Sequence, residues 1–114
     1  MATTFSKVIP SGFGATGVPL TVTDTATLGE EVHTAHATSY DELWLWATNE
    51  TTTSVVLTLE WGGATEPQVT TIPPKGSPPL QLAFGWILTG SDVLTAFADT
   101  ASAVTIHGYV NRIT

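Results

Sequence analysis

Apolar and polar residues alternate in short runs along most of the chain, and turn-forming residues separate these runs. The clearest alternation lies in residues 54–61. One face of that segment would carry apolar side chains only: Val55, Leu57, Leu59 and Trp61. Thr58 and Glu60 would point the other way, because successive side chains of a strand face opposite sides. We therefore expect a half-buried strand there, with Trp61 in the core.

Eight segments with this character predict eight strands, near residues 20–24, 30–36, 42–48, 54–61, 67–72, 79–83, 92–98 and 103–113. Short strands that recur at this spacing are typical of a sandwich or a barrel. No apolar stripe of helical period is present. The sequence therefore predicts an all-β protein, an antiparallel β-sandwich of jelly-roll or immunoglobulin-like type. Its two four-stranded sheets would form one domain over residues 20–114.

The first nineteen residues contain glycines and prolines but no alternation, which predicts an extended N-terminal arm over residues 1–19. Fully stretched, such an arm spans on the order of 60 Å, so it could touch a neighbouring chain. Its apolar side chains are candidate interface residues: Phe5, Ile9 and Phe13.

Residues 72–79 contain four prolines, which lack a backbone donor and fix φ, so a central strand is excluded there. We expect a rigid loop that presents three further interface candidates: Pro73, Pro74 and Pro78.

The predicted strand at residues 42–48 is apolar on both faces, with Trp44 and Trp46 on one and Leu43 and Leu45 on the other. A sheet with one wet face rarely has this pattern, so we expect a second layer over one side. That layer could be the N-terminal arm, another strand or another subunit. Trp44 and Trp46 are therefore candidates for an interface or a ligand platform. A polar connection follows, which predicts a hairpin with the next strand.

Composition narrows the range of partners. Only 11% of residues are charged while 42% are hydrophobic, which favours a surface that is partly covered. Ten acidic and 3 basic residues give a net charge of −7, so nucleic acid is a poor partner. No apolar run is long enough for a signal peptide or a membrane span, so we expect a soluble, unprocessed chain without a membrane partner.

None of the sequence motifs that resemble a catalytic or metal-binding site has the surrounding structure that such a site needs. Gly12 to Gly17 matches the letters of the dinucleotide fingerprint, but that site needs a helix where this chain predicts a strand. His33 and His36 would lie on opposite faces of a strand, which separates them as metal ligands. The chain has no cysteine and no G-x-S-x-G nucleophile. We therefore expect no catalytic residue, no metal, no cofactor and no enzymatic activity. Asn49 begins a glycosylation triplet, which chance readily produces in a chain with 22 threonines.

Four stretches carry a resemblance to known proteins: residues 41–59, 71–76, 90–94 and 104–110. In the first, an apolar strand ends in a polar, threonine-rich turn and a second apolar strand returns. In this order the stretches resemble small virion proteins of tailed bacteriophages, in particular capsid decoration or cement proteins. The resemblance implies a β-sandwich without catalysis, frequent trimers at capsid three-fold positions, and termini that hook onto capsid subunits.

The expected function is therefore that of a virion structural protein on the capsid surface. Such a protein binds the outer capsid and bridges neighbouring subunits of the major capsid protein, which is the expected partner. The chain would itself form a homo-oligomer, with a trimer favoured. Repetition over many copies multiplies a modest contact across each seam. The alternative is a carbohydrate-binding or tail-associated adhesin module with Trp44 and Trp46 as the stacking platform.

Overall fold

The computed structural model describes residues 3–63 and 67–114, which contain nine strands. Their bounds are β1 (Phe5–Val8), β2 (Leu20–Val22), β3 (Glu30–Thr34), β4 (Tyr40–Asn49), β5 (Val55–Trp61), β6 (Pro67–Ile72), β7 (Leu80–Leu88), β8 (Val93–Ala98) and β9 (Val104–Ile113). Within these residues no helix long and apolar enough to cross a bilayer occurs.

The strands form two antiparallel sheets. In sheet A the order is β7, β4, β9, and both β1 and β2 pair with the far edge of β9. In sheet B the order is β3, β8, β5, β6. From β2 onward the chain changes sheet at every connection except β5 to β6 and so builds a double-sheet jelly roll of eight strands. The predicted antiparallel β-sandwich is confirmed, and of the two types expected this is the jelly roll.

Alternation along the strands sends apolar side chains of both sheets into the space between them. The largest fully buried members are Val22, Val32, Leu43, Leu45, Leu57, Leu59, Ile72, Leu88, Leu94 and Ile106. Burial of apolar surface of this kind is the dominant favourable term in folding, at about 25 cal/mol per Å². The core therefore fixes which side of each strand faces outward.

The predicted hairpin between the strands now called β4 and β5 is wrong. β4 pairs with β7 and β9 in sheet A, while β5 pairs with β6 and β8 in sheet B. The connection at residues 50–54 therefore crosses from one sheet to the other. A short polar connection after an apolar strand is compatible with a hairpin within one sheet and with a crossing between two sheets. The strands that pair with β4 decide which of the two forms.

The prediction that β5 is half-buried is also wrong, because Thr58 and Glu60 on its outer side are 8% and 2% exposed. The segment between β2 and β3 folds over this part of sheet B. Glu60 accepts hydrogen bonds from the Thr27 hydroxyl, from the Gly29 amide at 2.8 Å and from the Thr95 hydroxyl at 3.0 Å. A buried carboxylate with three donors is satisfied, so it is tolerated on this face.

The N-terminal segment contains a strand that the sequence pattern did not predict. β1 pairs with β9 from Phe5 opposite Ile113 to Val8 opposite Val110. Beyond it, the Gly12 amide donates to the Val32 carbonyl at 2.9 Å. The described part of residues 1–19 thus lies along its own domain. The proline-rich loop falls between β6 and β7 as predicted, and β7 extends to Leu88, beyond the expected end at residue 83.

A buried carboxylate, Asp41 on β4, joins four segments at one end of the sandwich. It is fully buried and accepts hydrogen bonds from Arg112 on β9 through Nε at 2.8 Å and Nη2 at 2.9 Å. His33 Nε2 on β3 lies 2.7 Å away, and the His36 amide donates at 3.1 Å. The Ser11 amide donates to His33 Nδ1 at 3.1 Å. His33 therefore carries its proton on Nε2 and donates it to Asp41.

These hydrogen bonds stabilise the charged form of Asp41. Burial alone would raise the pKa of this carboxyl. The hydrogen bonds from Arg112, His33 and the His36 amide outweigh that effect and lower the pKa to about 2. Relative to the ordinary value of 3.8, this depression corresponds to about 2 kcal/mol of folding free energy. That contribution is fully present above about pH 4 and is lost as the pH falls towards 2, because the native carboxylate must then be protonated.

We predict that Asp41→Asn lowers the free energy of unfolding at pH 7 by about 3 kcal/mol, because Arg112 and His33 lose their buried partner. The variant should also lose less stability than the wild type between pH 4 and pH 2. Urea unfolding across this range measures both effects. Asp24→Asn, at an exposed carboxyl, is the control and should follow the wild-type profile. Identical profiles for Asp41→Asn and the wild type would contradict the role given to this carboxylate.

Candidate functional site

Aromatic side chains cluster on the outer side of sheet A. Four of them form the centre of a surface that we call the aromatic face: Trp44 and Trp46 on β4, Phe84 on β7 and Tyr109 on β9. The strand register places Trp44 between Phe84 and Tyr109. Because alternate residues of β4 are buried from Asp41 to Asn49, both tryptophans point outward. The prediction that they share one face, opposite Leu43 and Leu45, is confirmed.

The rings of this face contact one another across the strands. The centroids of Trp44 and Tyr109 lie 6.5 Å apart with the ring planes 13° from parallel, and those of Trp46 and Tyr109 lie 6.4 Å apart. From β1, the Lys7 ammonium lies 4.2 Å from the centroid of the Tyr109 ring, within range of a cation–π interaction. The rings are therefore held in place while part of their surface stays open to solvent.

Exposed apolar side chains extend the aromatic face on both sides. Phe84 is 62% exposed, and Ile87, further along the same strand, is 43% exposed. At the end of the face, Tyr40 pairs with Ile113, which in turn pairs with Phe5, and Phe5 is 69% exposed. Clusters of exposed apolar side chains on one side of a sheet are characteristic of sites that other molecules cover. The aromatic face is therefore the leading candidate for a functional surface.

A β-bulge at Gly85 brings Phe84 and Ile87 to the same side. Residues three apart in a regular strand face opposite sides, but the pairing shifts between Leu43 opposite Trp86 and Trp44 opposite Phe84. Gly85 has φ of 91°, a conformation that favours glycine. Sequence reasoning missed Phe84 and Ile87, and the signal that could have found them is this glycine within an apolar run.

Among the described residues of the aromatic face, the two charged side chains lie in one row across the strands. Glu42 on β4 pairs with Asn111 on β9, which pairs with Lys7 on β1. The Trp44 indole donates to Glu42 Oε1 at 2.7 Å and the Asn111 amide donates to the same oxygen at 3.2 Å. These bonds lower the pKa of Glu42 below its ordinary value, so the group is ionised at neutral pH. The face therefore has a negative flank and a positive flank.

A groove of about 480 Å³ lies at one end of the aromatic face and is lined by Trp46, Thr48, Pro79 and His107. Its walls are mainly apolar, and its polar atoms include the Thr48 hydroxyl and His107 Nε2, which lie 3.2 Å apart. Its volume is in the range of small-ligand sites.

The loops at the end of β4 form a second organised surface, the loop end, comprising residues 50–54 and 73–79. Asn49 is buried and donates through Nδ2 to the carbonyl oxygens of Thr53 at 2.7 Å and Ile72 at 3.3 Å. Its Oδ1 accepts from the Thr51 amide at 2.8 Å, and the Lys75 amide donates to the Thr51 carbonyl. The side chain of Asn49 is thus fully engaged, so the folded chain cannot present it for glycosylation.

The remaining predicted interface residues are scattered over the molecule. Phe5 and Ile9 are exposed, whereas Phe13 is 8% exposed and belongs to the hydrophobic core, so it offers no surface. Pro73 and Pro74 are half-buried, and Pro78 is exposed.

Trp61, which the sequence places in the core, is half-buried: it packs against the edge of the core and stacks on Trp86 with 4.9 Å between ring centroids.

His33 and His36, which are close together in the sequence, hydrogen-bond to different groups. His33 is held by Asp41 and Ser11, while His36 Nδ1 accepts from the Thr38 and Ser39 amides at 3.1 and 2.9 Å. Among the described residues no three His, Cys, Asp or Glu side chains are grouped to hold a metal ion. No protein-family model, curated protein or solved structure matches this chain.

The aromatic face depends on a close approach of β4 and β9 beneath it. A Cβ atom on Gly108 would lie 2.1 Å from the Trp44 carbonyl oxygen and 2.9 Å from Leu45 Cδ2. The backbone of Gly108 also has φ of 152°, which an L side chain rarely adopts. Only glycine allows β9 to run this close to β4.

We predict that Gly108→Ala lowers the free energy of unfolding by on the order of 3 kcal/mol, because the methyl group forces the two central strands apart. Gly14→Ala is the control, since its Cβ would meet nothing closer than 3.6 Å, and its stability should change by less than about 1 kcal/mol. Urea unfolding of both variants gives the comparison. Equal stability of the two variants would show that the close approach can relax without cost.

Proposed function

We propose that this chain is a bacteriophage virion structural protein, a capsid decoration protein that binds the outer capsid surface and bridges neighbouring major capsid subunits. The observation that carries the proposal is the aromatic face. A sheet side with exposed Phe84, Ile87 and Phe5 costs free energy in water, and contact with another protein removes that cost. In an assembly, a neighbouring protein covers such an apolar surface.

The loop end supplies the second surface that bridging requires. Because Asn49 and Lys75 tie residues 50–54 to residues 73–79, these loops are ordered before any partner arrives. Ordered loops lose little conformational entropy on binding, which favours affinity. A domain with two separate organised surfaces can contact two neighbouring chains at once, and repetition over a capsid multiplies the effect.

Low charge supports the same proposal. The chain has only 13 charged residues among 114, 10 acidic and 3 basic, and few of them lie on the aromatic face. Charged residues are depleted from the core of protein interfaces, where aromatic residues are enriched. The composition of this face is therefore closer to that of a protein–protein interface than to that of a surface that stays exposed to solvent.

We expect purified particles of the phage that encodes the chain to contain it in a fixed ratio to the major capsid protein. Mass spectrometry of the particles measures the ratio, and electron cryomicroscopy should show jelly-roll density on the outer capsid. The loop-end variant Lys75→Glu should weaken binding to particles that lack the chain, with Asp24→Asn as the control. Particles without the chain, or with the chain on the tail alone, would contradict the proposal.

The groove favours a second candidate function, carbohydrate binding by a tail-associated adhesin module. Trp46 offers an aromatic surface on which a sugar ring can stack, and Thr48 and His107 offer polar atoms for its hydroxyl groups. This combination of an apolar wall and a polar rim is typical of small-ligand sites.

If this second function holds, a member of a glycan panel should change the tryptophan fluorescence of the wild type in a saturable way. Trp46→Ala should abolish that change, because the stacking surface is lost. Trp61→Phe, on the core side of sheet B, is the matched control and should keep it. Fluorescence that no glycan alters, or that responds equally in Trp46→Ala, would exclude the groove as a sugar site.

A further inference from the structure

We propose that a second copy of this chain covers the aromatic face, in a two-fold pair that packs the two A sheets against each other. The inference rests on the proposed function only in treating this face as a surface that protein covers. It names a second copy as the occupant of this face. The two neighbouring chains that one domain contacts are then its own copy and a capsid subunit, and the two loop ends of the pair bridge the capsid subunits.

The charges of the face are self-complementary. Glu42, Asn111 and Lys7 form one row across β4, β9 and β1, with Glu42 and Lys7 on opposite sides of β9. A two-fold axis that runs along the strands near β9 exchanges these two sides. It brings Lys7 of each copy over the side where the other copy carries Glu42. The pair therefore contains two attractive contacts of opposite charge, and an isologous interface repeats each contact in this way.

The rest of the chain explains why self-association would use this face. Two copies with a net charge of −7 each repel one another over most of their surfaces. Among the described residues of the aromatic face the charges of Lys7 and Glu42 cancel, Asn111 lies between them, and aromatic rings lie beside this row. Pairing at this face therefore combines the smallest repulsion with the largest removal of apolar surface from water.

The area is large enough for a weak but specific pair. A ten-residue strand such as β4 or β9 is about 33 Å long, and four strands spaced by about 4.8 Å cover about 15 Å between the outermost two. The face therefore offers roughly 500 Å² per copy, or about 1,000 Å² in the pair. That total is at the lower limit for a specific interface, so the pair should dissociate on dilution.

Sedimentation equilibrium of the purified full chain tests the proposal. We expect the average mass to rise from 12.0 kDa in dilute solution to twice that value as the concentration increases. Lys7→Glu and Glu42→Lys should each raise the dissociation constant of the pair at least tenfold, because each places like charges opposite one another. The double exchange Lys7→Glu with Glu42→Lys should restore the dissociation constant to within about threefold of the wild-type value.

Matched controls separate this interface from general charge effects. Lys75→Glu and Glu50→Lys change the net charge by the same amounts at exposed positions of the loop end, and they should leave the pair intact. Because Glu42→Lys also removes the hydrogen bonds to Trp44 and Asn111, thermal unfolding must show that each variant is folded. Phe84→Ser, at a side chain that is 62% exposed, should weaken the pair without lowering the unfolding midpoint.

A monomer at all concentrations would overturn the proposal, as would a trimer mass or a pair whose dissociation constant ignores Lys7, Glu42 and Phe84. These failures are distinct from failure of the proposed function. A monomer that still binds particles would refute only the pair. A pair that is absent from particles would refute only the decoration function.

Discussion

The buried contact between Asp41 and Arg112 fixes the arrangement on which the rest of the molecule depends. It joins β4 to β9 within sheet A, and through His33 it joins sheet A to sheet B. A buried carboxylate is tolerable only with such a complete set of donors, so the three strands must meet in one register. That register decides which side chains of β4 enter the core and which form the aromatic face.

The same strand therefore links stability to the proposed function. Its inner side chains, including Leu43 and Leu45, fill the core, while Trp44 and Trp46 stand on the outside above the close approach at Gly108. Asn49 ends the strand and orders the loop end. A single rigid strand thus carries a surface that protein can cover and, at its far end, loops that can contact another chain.

Sequence patterns predicted the parts of this arrangement that depend on local alternation. The sandwich, the proline-rich loop and the common side of Trp44 and Trp46, opposite Leu43 and Leu45, follow from side-chain period and from the backbone limits of proline. Features that depend on partners distant in sequence were missed or wrong. β1 is too short and too exposed to show a pattern, β4 and β5 belong to different sheets, and the bulge at Gly85 reverses the expected side of Ile87 relative to Phe84.

Hydroxyl-radical footprinting tests most directly whether protein covers the aromatic face. The oxidation rates of Trp44 and Phe84 can be compared among dilute chain, concentrated chain and assembled particles, with Trp61 in the same samples as an internal reference. We expect the rates at Trp44 and Phe84 to fall several-fold on concentration and to remain low in particles, while the rate at Trp61 stays constant. Equal oxidation of Trp44 and Phe84 in all three samples would contradict the central claim that this face is covered.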